Sequence, residues 1–291
     1  MKKILKEIGF IRKIWFWFYF IINNKYIPNF KKPKTYNEKL NYRKRNANHE
    51  LFSKCSDKIE AKDYVASIIG EQYIIPTLYT GSNISLEKIK NILGEHGDCL
   101  LKANHNSGPV YLLTTKMDDS DLLMACNDVN KQLKIDFGKY QNEPWYSKIS
   151  PQILVEKRIY PEEGESDLKD YKFHVFKQND GTSKVILHID FDRNSNHSRS
   201  FFDDDLNWLP FSSFVPSIYT SINKPVNFEE MLILAKKLAE PFNYVRVDFY
   251  NVAGKIYFGE LTFAPGSGSS PFTNKGYDLW MGNMWHKDPA N

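Results

Sequence analysis

Two carboxylates, Asp248 and Glu260, lie inside apolar runs of the stretch "YVRVDFYNVAGKIYFGELTFAPGSG" (Tyr244–Gly268), with Arg246 two residues before the first. Both runs alternate as strands do and flank "VAG", so they are predicted to form a hairpin closed by a three-residue turn. Alternation puts Arg246, Asp248 and Tyr250 on one face of the first strand, and Phe258, Glu260 and Thr262 on one face of the second. The hairpin sets Asp248 near Glu260, and two ionised carboxylates at close range are strongly unfavourable unless a cation compensates. Hard oxygen ligands on rigid strands are what Mg²⁺ uses when it also holds substrate phosphates. The other reading of these residues is a solvated strand edge whose acids pair with Arg246 or a lysine.

A second group is "LLKANHNSGPVYL" (Leu100–Leu112). A strand-borne Lys102 precedes a loop whose Asn106, Ser107 and Gly108 can offer backbone N–H groups to phosphate. The GxxxxGK[ST] spacing is absent, so it is not a P-loop, and a surface turn is the alternative. The third is "ILVEKRIY" followed by "DYKFHVF". Glu156, Lys157 and Arg158 interrupt an apolar strand there, either where the chain crosses between lobes and offers backbone groups to a base or at an ordinary strand end. In "HIDFDR", His188, Asp190 and Arg193 add polar groups, and Arg193 or His105 can hold an anionic carboxylate.

These groups need strands to carry them. Strands are predicted at Cys99–Asn104, Gln152–Ile159, Tyr171–Lys177, Lys184–Asp192, Tyr244–Asn251 and Lys255–Phe263. "SDKIEAKDYVASIIG" reads as a helix capped by Ser56 or Asp57 and stopped by Gly70. "NFEEMLILAKKLAEPFNY" reads as another, with Asn227 and Glu230 at capping-box spacing and Phe228, Met231, Leu232, Ala235 and Leu238 on one face. The first fifty-odd residues read as a basic helix, a Pro/Lys loop and a polar helix. Helices first and sheet-rich halves afterwards mean an α+β or mixed α/β chain without regular βαβ alternation.

The length of 291 residues allows one large domain or two modest ones, and 42% apolar with 25% charged residues is the composition of an ordinary globular protein. The net charge of +4 is mild, and its excess sits near the N-terminus, which is compatible with an anionic partner. Nucleic acid is not expected, because no aromatic-interleaved basic strip exists beyond that segment. Cys55, Cys99 and Cys126 show no zinc-site spacing, so a reducing, cytoplasmic compartment is expected. The run "IWFWFYFII" (Ile14–Ile22) follows basic residues but is too short to span a bilayer and lacks a small-residue cleavage site. It is either a packing helix or an interfacial one that docks on the inner membrane face, and Trp15, Trp17 and Tyr19 suit the latter.

In order and spacing, "KPKTYNEKL", "DKIEAKDYV", "YIIPTLY", "LLKANHNSG", "ILVEKRI", "DYKFHVF" and "RVDFY…GKIYFGELTFAPGSG" resemble the ATP-grasp superfamily, and more closely its TupA-like branch. The resemblance covers nearly the whole chain. It implies two lobes with antiparallel-rich sheets sandwiching the nucleotide, preceded by an N-terminal helical segment: residues 1–55, an N-lobe at 56–155 and a C-lobe at 156–291. It implies ATP and Mg²⁺ as cofactors, with Lys58, Lys102, Ser107, Gly108 and Lys172 among the nucleotide contacts. Glu156, Lys157, Arg158 and Ile159 become the adenine hinge and Asp170 the acid on the ribose, with Glu163 and Glu165 as rivals. Asp248, Glu260 and Thr262 become the metal ligands, Thr262 standing where many relatives have an amide, and Arg246 the catalytic cation beside Lys102. Gly266 and Ser267, in a loop expected to close over the acceptor, join His105, Asp190 and Arg193 as substrate contacts. The function implied is an ATP-dependent carboxylate–amine ligase forming an amide on a uronic acid or related sugar, carried by a glycan or a sugar nucleotide, with an amino acid or amino alcohol, in capsule, O-antigen or teichuronopeptide-type surface polysaccharide biosynthesis. A sugar kinase and a glycosyltransferase or non-catalytic glycan-assembly protein are the alternatives.

Overall fold

The structure, a computed structural model, describes residues 9–163, 165, 167–191 and 196–291. The chain divides into two compact units: Leu51–Lys139 with Pro144–Tyr160, and Met1–Glu50 with Tyr140–Glu143 and Pro161–Asn291. Mixed helices and antiparallel sheets make up both.

The smaller unit is built on a four-stranded antiparallel sheet in the order β1–β4–β2–β3, with β1 Thr77–Gly81, β2 Cys99–Ala103, β3 Tyr111–Leu113 and β4 Ile153–Lys157. Alternation along β2 and β4 sends Cys99, Leu101, Ala103, Ile153 and Val155 into one core with Ile89, Ile92 and Leu93 of one helix (Leu86–His96) and Leu122, Ala125, Cys126 and Val129 of another (Asp119–Gln132). The intervening residues of the same strands, Lys102 and Glu156, therefore point to the opposite face. The chain reaches that sheet through two short helices, Leu51–Ser56 and Glu60–Ile69, rather than one. Neither Ser56 nor Asp57 caps the second of these. Ile59 stands at its N-cap, and Asp57 Oδ1 accepts from the Ile59 N–H (2.8 Å) and from Asn104 Nδ2 (2.9 Å). Gly70 ends the helix as expected, at φ 107°.

The larger unit carries a six-stranded antiparallel sheet in the order β10–β9–β5–β6–β7–β8. Its strands are β5 Asp170–Lys177, β6 Ser183–Phe191, β7 Ser198–Phe202, β8 Trp208–Leu209, β9 Tyr244–Val252 and β10 Lys255–Thr262. One face, with Phe173, Val175, Val245, Val247 and Phe249 fully buried, packs on the helix Phe228–Ala239, whose Phe228 ring lies 6.1 Å from Phe173. That helix forms without the capping box: Asn227 makes no cap hydrogen bond and instead donates to the Gly254 carbonyl (2.7 Å). The opposite face is split. Its aromatic part, with Phe176, Phe201 and Tyr244, packs on Tyr36 and Leu40 of helix α2 (Tyr36–Asn46) and on Met281 and Trp285 at the C-terminal end of the chain. Its polar part carries Asp170, Lys172, His174, Arg246 and Asp248.

The segment before α2 is more ordered than a Pro/Lys loop. Thr35 and Glu38 form a capping box, and the Glu38 carboxylate also accepts backbone N–H groups of Asn29 (2.8 Å) and Lys34 (2.8 Å). Ahead of it, helix α1 (Gly9–Asn24) packs through Phe16 and Phe20.

Candidate active site

The hairpin β9–β10 forms, but its turn has two residues. Val252 pairs with Lys255 across Ala253 and Gly254, both left-handed at φ 49° and 79°, which is the two-residue turn that matches strand twist. The register then slips once. Phe258 lies opposite Phe249, while Glu260 lies opposite Asp248 and Thr262 opposite Arg246. A bulge at Gly259 takes up the extra residue, so Phe258 turns into the core with Phe249 instead of sharing a face with Glu260 and Thr262. Without it, strict alternation would put either Phe258 in the polar face or Glu260 in the core. A Cβ at position 259 would come within 3.1 Å of the Asp248 carbonyl oxygen, so only glycine seats there without displacing backbone.

Arg246 binds these groups together. Its Nε donates to Asp248 Oδ1 (2.7 Å), and its Nη2 donates to Asp248 Oδ2 (2.6 Å), Glu260 Oε1 (2.7 Å) and Thr262 Oγ1 (3.0 Å). The Thr262 hydroxyl in turn donates to Glu260 Oε1 (2.8 Å). Lys172, opposite Asp248 on β5, donates to Asp248 Oδ2 (3.0 Å) and to Asp170. Asp170, Lys172, Arg246 and Asp248 are all largely buried, whereas the Glu260 side chain is 45% exposed. Burial pushes the Asp248 carboxyl upward, against the pull of Arg246 and Lys172, and the nearby Glu260 and Asp170 charges push it the same way. Lys172 stays charged despite burial because Asp248 and Asp170 flank it.

The donor set suits magnesium. Asp248, Glu260 and Thr262 offer hard oxygen atoms on two adjacent strands, all three accepting from Arg246, and no group of three or more His, Cys, Asp or Glu suited to a metal exists among the described residues. Two carboxylates are what Mg²⁺ takes from a protein when phosphates and water supply the rest.

In the smaller unit, Lys58 and the loop after β2 do come together: the Lys58 ammonium donates to the Asn106 carbonyl. The Gly108 N–H folds back onto Asn106 Oδ1 (3.1 Å), and Ser107 and Gly108 are exposed. Asn104, fully buried, fixes the strand end by donating to Asp57 and Ser150 and accepting from the Gln152 N–H (2.7 Å). Glu156 is not a surface charge at a strand end. Its buried carboxylate pairs with Lys102 on one oxygen and with Lys62 on the other (2.6 Å), and Lys62 is anchored further by the Ile75 carbonyl and Thr77 Oγ1. Burial opposes ionisation of Glu156, but the two lysines outweigh it and hold its pKa below the usual carboxylate range. The Lys157 and Arg158 N–H groups donate to the Pro76 (3.0 Å) and Asp98 (3.3 Å) carbonyls, and Ile159 follows at the strand end. Lys62 was not legible as a site residue; only its place one helical turn after Lys58 pointed to it.

Three of the substrate contacts implied by the resemblance, His105, Asp190 and Ser267, are hydrogen-bonded to other groups of the protein. His105 is buried with its Nε2 bonded to the Ile135 carbonyl (3.0 Å), and burial lowers its pKa. Arg193 lies outside the described residues. Asp190 is committed to Arg199 (2.8 Å) and His197 (2.9 Å). Burial works against the Asp190 carboxylate, but Arg199 and His197 draw its pKa down to about 2. A carboxyl depressed from 3.8 to about 2 adds stability that is present above its unfolded pKa and lost as pH falls through the folded one. Asp190→Asn is therefore expected to cost about 2 kcal/mol at pH 7 and only a few tenths of that near pH 2, read from denaturant midpoints across that range.

The loop Gly266–Ser267 is held by α2 rather than left free to close. Asn37 donates to the Ser270 carbonyl (2.8 Å), Asn41 to the Gly268 carbonyl (2.6 Å), and Lys44 to Ser267 O (2.9 Å) and Oγ (2.6 Å). Ser267 Oγ also donates to the buried Glu143 (2.7 Å). Gly268, at φ 66°, sits so close to α2 that a Cβ there would meet Leu40 and Asn41. Between the polar and aromatic parts of that face, a buried chain runs Tyr36–Tyr244 (2.5 Å), Tyr244–His174 (2.9 Å) and His174–His188 (2.8 Å). Burial, reinforced by Arg246 and Arg199, keeps both imidazoles neutral.

The architecture is that of an ATP-grasp protein, with antiparallel sheets, a lysine on the strand before a Ser/Gly loop, and an Asp/Glu pair on a terminal hairpin. A family model described as TupA-like ATPgrasp matches residues 38–286, and the chain belongs to that family. Among solved structures it is similar to D-alanyl-alanine synthetase A from Vibrio cholerae O1 biovar eltor str. N16961 (14% identity, TM-score 0.44, 72% of this chain and 55% of that one). It is also similar to the D-alanine–D-alanine ligase from Helicobacter pylori (18%, 0.48, 81% and 60%). A third is N5-carboxyaminoimidazole ribonucleotide synthetase in its ADP complex (16%, 0.43, 73% and 46%). The chain thus spans about half to three-fifths of the length of these proteins. No curated protein matches it.

Proposed function

We propose that this protein is an ATP-dependent, ADP-forming carboxylate–amine ligase. The observation that carries the reading is the Asp248/Glu260 pair, brought opposite one another by the bulge and bridged by Arg246, in a chain of this family. In this reading Asp248, Glu260 and Thr262 hold Mg²⁺, which when bound supplies positive charge to the phosphate oxygens. Lys102 and Lys58 neutralise phosphates, Ser107 and Gly108 offer backbone N–H groups, and residues 156–159 meet the adenine. Glu156 and Lys62 keep the Lys102 ammonium in place. Asp170 either serves the ribose or, as its contact with Lys172 favours, balances charge next to the metal pair.

Arg246 and Lys172 keep cations beside the carboxylates, so negative charge arriving with ATP and a carboxylate substrate meets a compensated surface. The substrate's carboxylate oxygen attacks the γ-phosphorus and ADP departs; an amine nitrogen then attacks the acyl carbon and phosphate departs. No nucleophilic side chain is needed, since positioning and charge neutralisation are the catalytic task. We assign the carboxylate to a uronic acid or related sugar of a capsule, O-antigen or teichuronopeptide-type surface polysaccharide, the amine to an amino acid or amino alcohol, and the location to the cytoplasm.

Calorimetry of Mg·ATP binding, followed by a screen of uronic acids against amines for ADP release, tests this. Binding together with amine-dependent ADP release is expected. Amine-independent release with phosphate on a hydroxyl would mean a kinase, and absence of ATP binding with either Mg²⁺ or Mn²⁺ would remove both readings.

A further inference from the structure

Helix α1 has two faces of opposite fate. Phe16 and Phe20 are buried, while Ile14, Phe18, Tyr19 and Ile22 are exposed, Phe18 at 54% and Ile22 at 63%. At 3.6 residues per turn, Ile14, Phe18 and Ile22 form one stripe. Trp15 and Tyr19 lie alongside it, stacked with ring centroids 4.9 Å apart, and Phe16 and Phe20 fall on the far side. Ile27, just past the helix, is a further exposed apolar side chain, at 73%. A contiguous surface of large apolar side chains opposite an already packed face marks an interaction site.

Charge says what covers it. The sequence holds no Asp or Glu from Ile8 to Asn37. Lys25, Lys31, Lys32 and Lys34 are exposed beyond the end of the helix, and none of them joins an ion pair among the described residues. A second copy seated on this face would bring together two segments that hold lysines and no acid, which repels. An anionic lipid surface complements both parts: acyl chains for the stripe and headgroups for the lysines, with Trp15 and Tyr19 of the kind that settles at that boundary. Sixteen residues reach about 24 Å, short of the roughly 30 Å hydrocarbon core, and no described helix is long and apolar enough to cross a membrane.

We propose that α1 lies in the plane of an anionic bilayer surface, with Ile14, Phe18 and Ile22 inserted and Lys25, Lys31, Lys32 and Lys34 on the headgroups. This holds whatever reaction the protein performs. The test is flotation of the full chain with mixed phosphatidylglycerol–phosphatidylcholine vesicles and with phosphatidylcholine alone. The wild type floats with the anionic vesicles. Lys25→Gln with Lys31→Gln and Lys32→Gln lowers partitioning onto them on the order of 100-fold at low salt, about fivefold per lysine. Ile14→Ser with Phe18→Ser and Ile22→Ser abolishes flotation on either vesicle; because these side chains are exposed, the melting curve stays in place. A wild type that stays at the bottom of both gradients, or an apolar variant that floats like the wild type, overturns the proposal. So does a wild-type dimer on size exclusion that the apolar variant converts to monomer, since a second copy then covers the face.

Discussion

Glu260→Gln is expected to cut magnesium-dependent ADP release by about 10²–10³-fold while leaving the melting temperature nearly unchanged. The side chain is 45% exposed and its contacts include one Arg246 nitrogen and the Thr262 hydroxyl. An amide oxygen can still accept from both, and exposed ion pairs contribute only about 0–1 kcal/mol. What the amide cannot supply is the negative charge that a hard cation requires. A coupled ADP assay over a magnesium titration separates two modes of loss. Recovery at high magnesium locates the defect in metal affinity, and a low plateau locates it in turnover. Unchanged turnover at all magnesium levels would remove Glu260 from the metal site.

Asp248→Asn should behave differently, because its partner carboxylate's exposure is absent here. Asp248 is 2% exposed and accepts two hydrogen bonds from Arg246 and one from Lys172. Neutralising it leaves two buried cations with Glu260 and Asp170 as their remaining counter-charges. Breaking a buried pair from one side costs about 3–5 kcal/mol, and the two surviving acids put the expected loss at the lower end, about 3 kcal/mol. That corresponds to a fall in melting temperature of roughly 6–12 °C. Activity is lost as well, so the pair of variants divides the carboxylates by role: Glu260 is needed for the reaction alone, Asp248 for the reaction and the fold. The double change Asp248→Asn with Lys172→Met should recover part of the lost stability, since it removes one stranded cation. If the single variant melts with the wild type, the ion cluster drawn here does not stabilise this sheet.

The strands that carry the chemistry, and the residues they present, can be read from the chain's own pattern. Alternation is a local property, so the runs at Tyr171–Lys177, Lys184–Asp192, Tyr244–Asn251 and Lys255–Phe263 and the adjacency of Asp248 to Glu260 were legible. The family resemblance was legible too, and "KPKTYNEKL" has a physical account in the structure: Thr35 and Glu38 cap α2, Tyr36 enters the aromatic core, and Asn37 reaches Ser270.

The partners those residues meet are set by the folded packing. The turn after Val252 and the bulge at Gly259 shift the register by one, and this sends Phe258 inward; the spacing of charges in a single strand contains no trace of such a slip. Glu156 reads as an interruption in an apolar strand until Lys62 and Lys102 are seen on either side of it. Asn41 and Gly268 are 227 residues apart, yet their hydrogen bond helps turn an apparently free loop into one fixed against α2. The physical reason is common to all three. Periodicity reports which face a side chain takes within its own element, whereas pairing of charges and anchoring of loops depend on distances between elements remote in the chain, which only the folded packing sets.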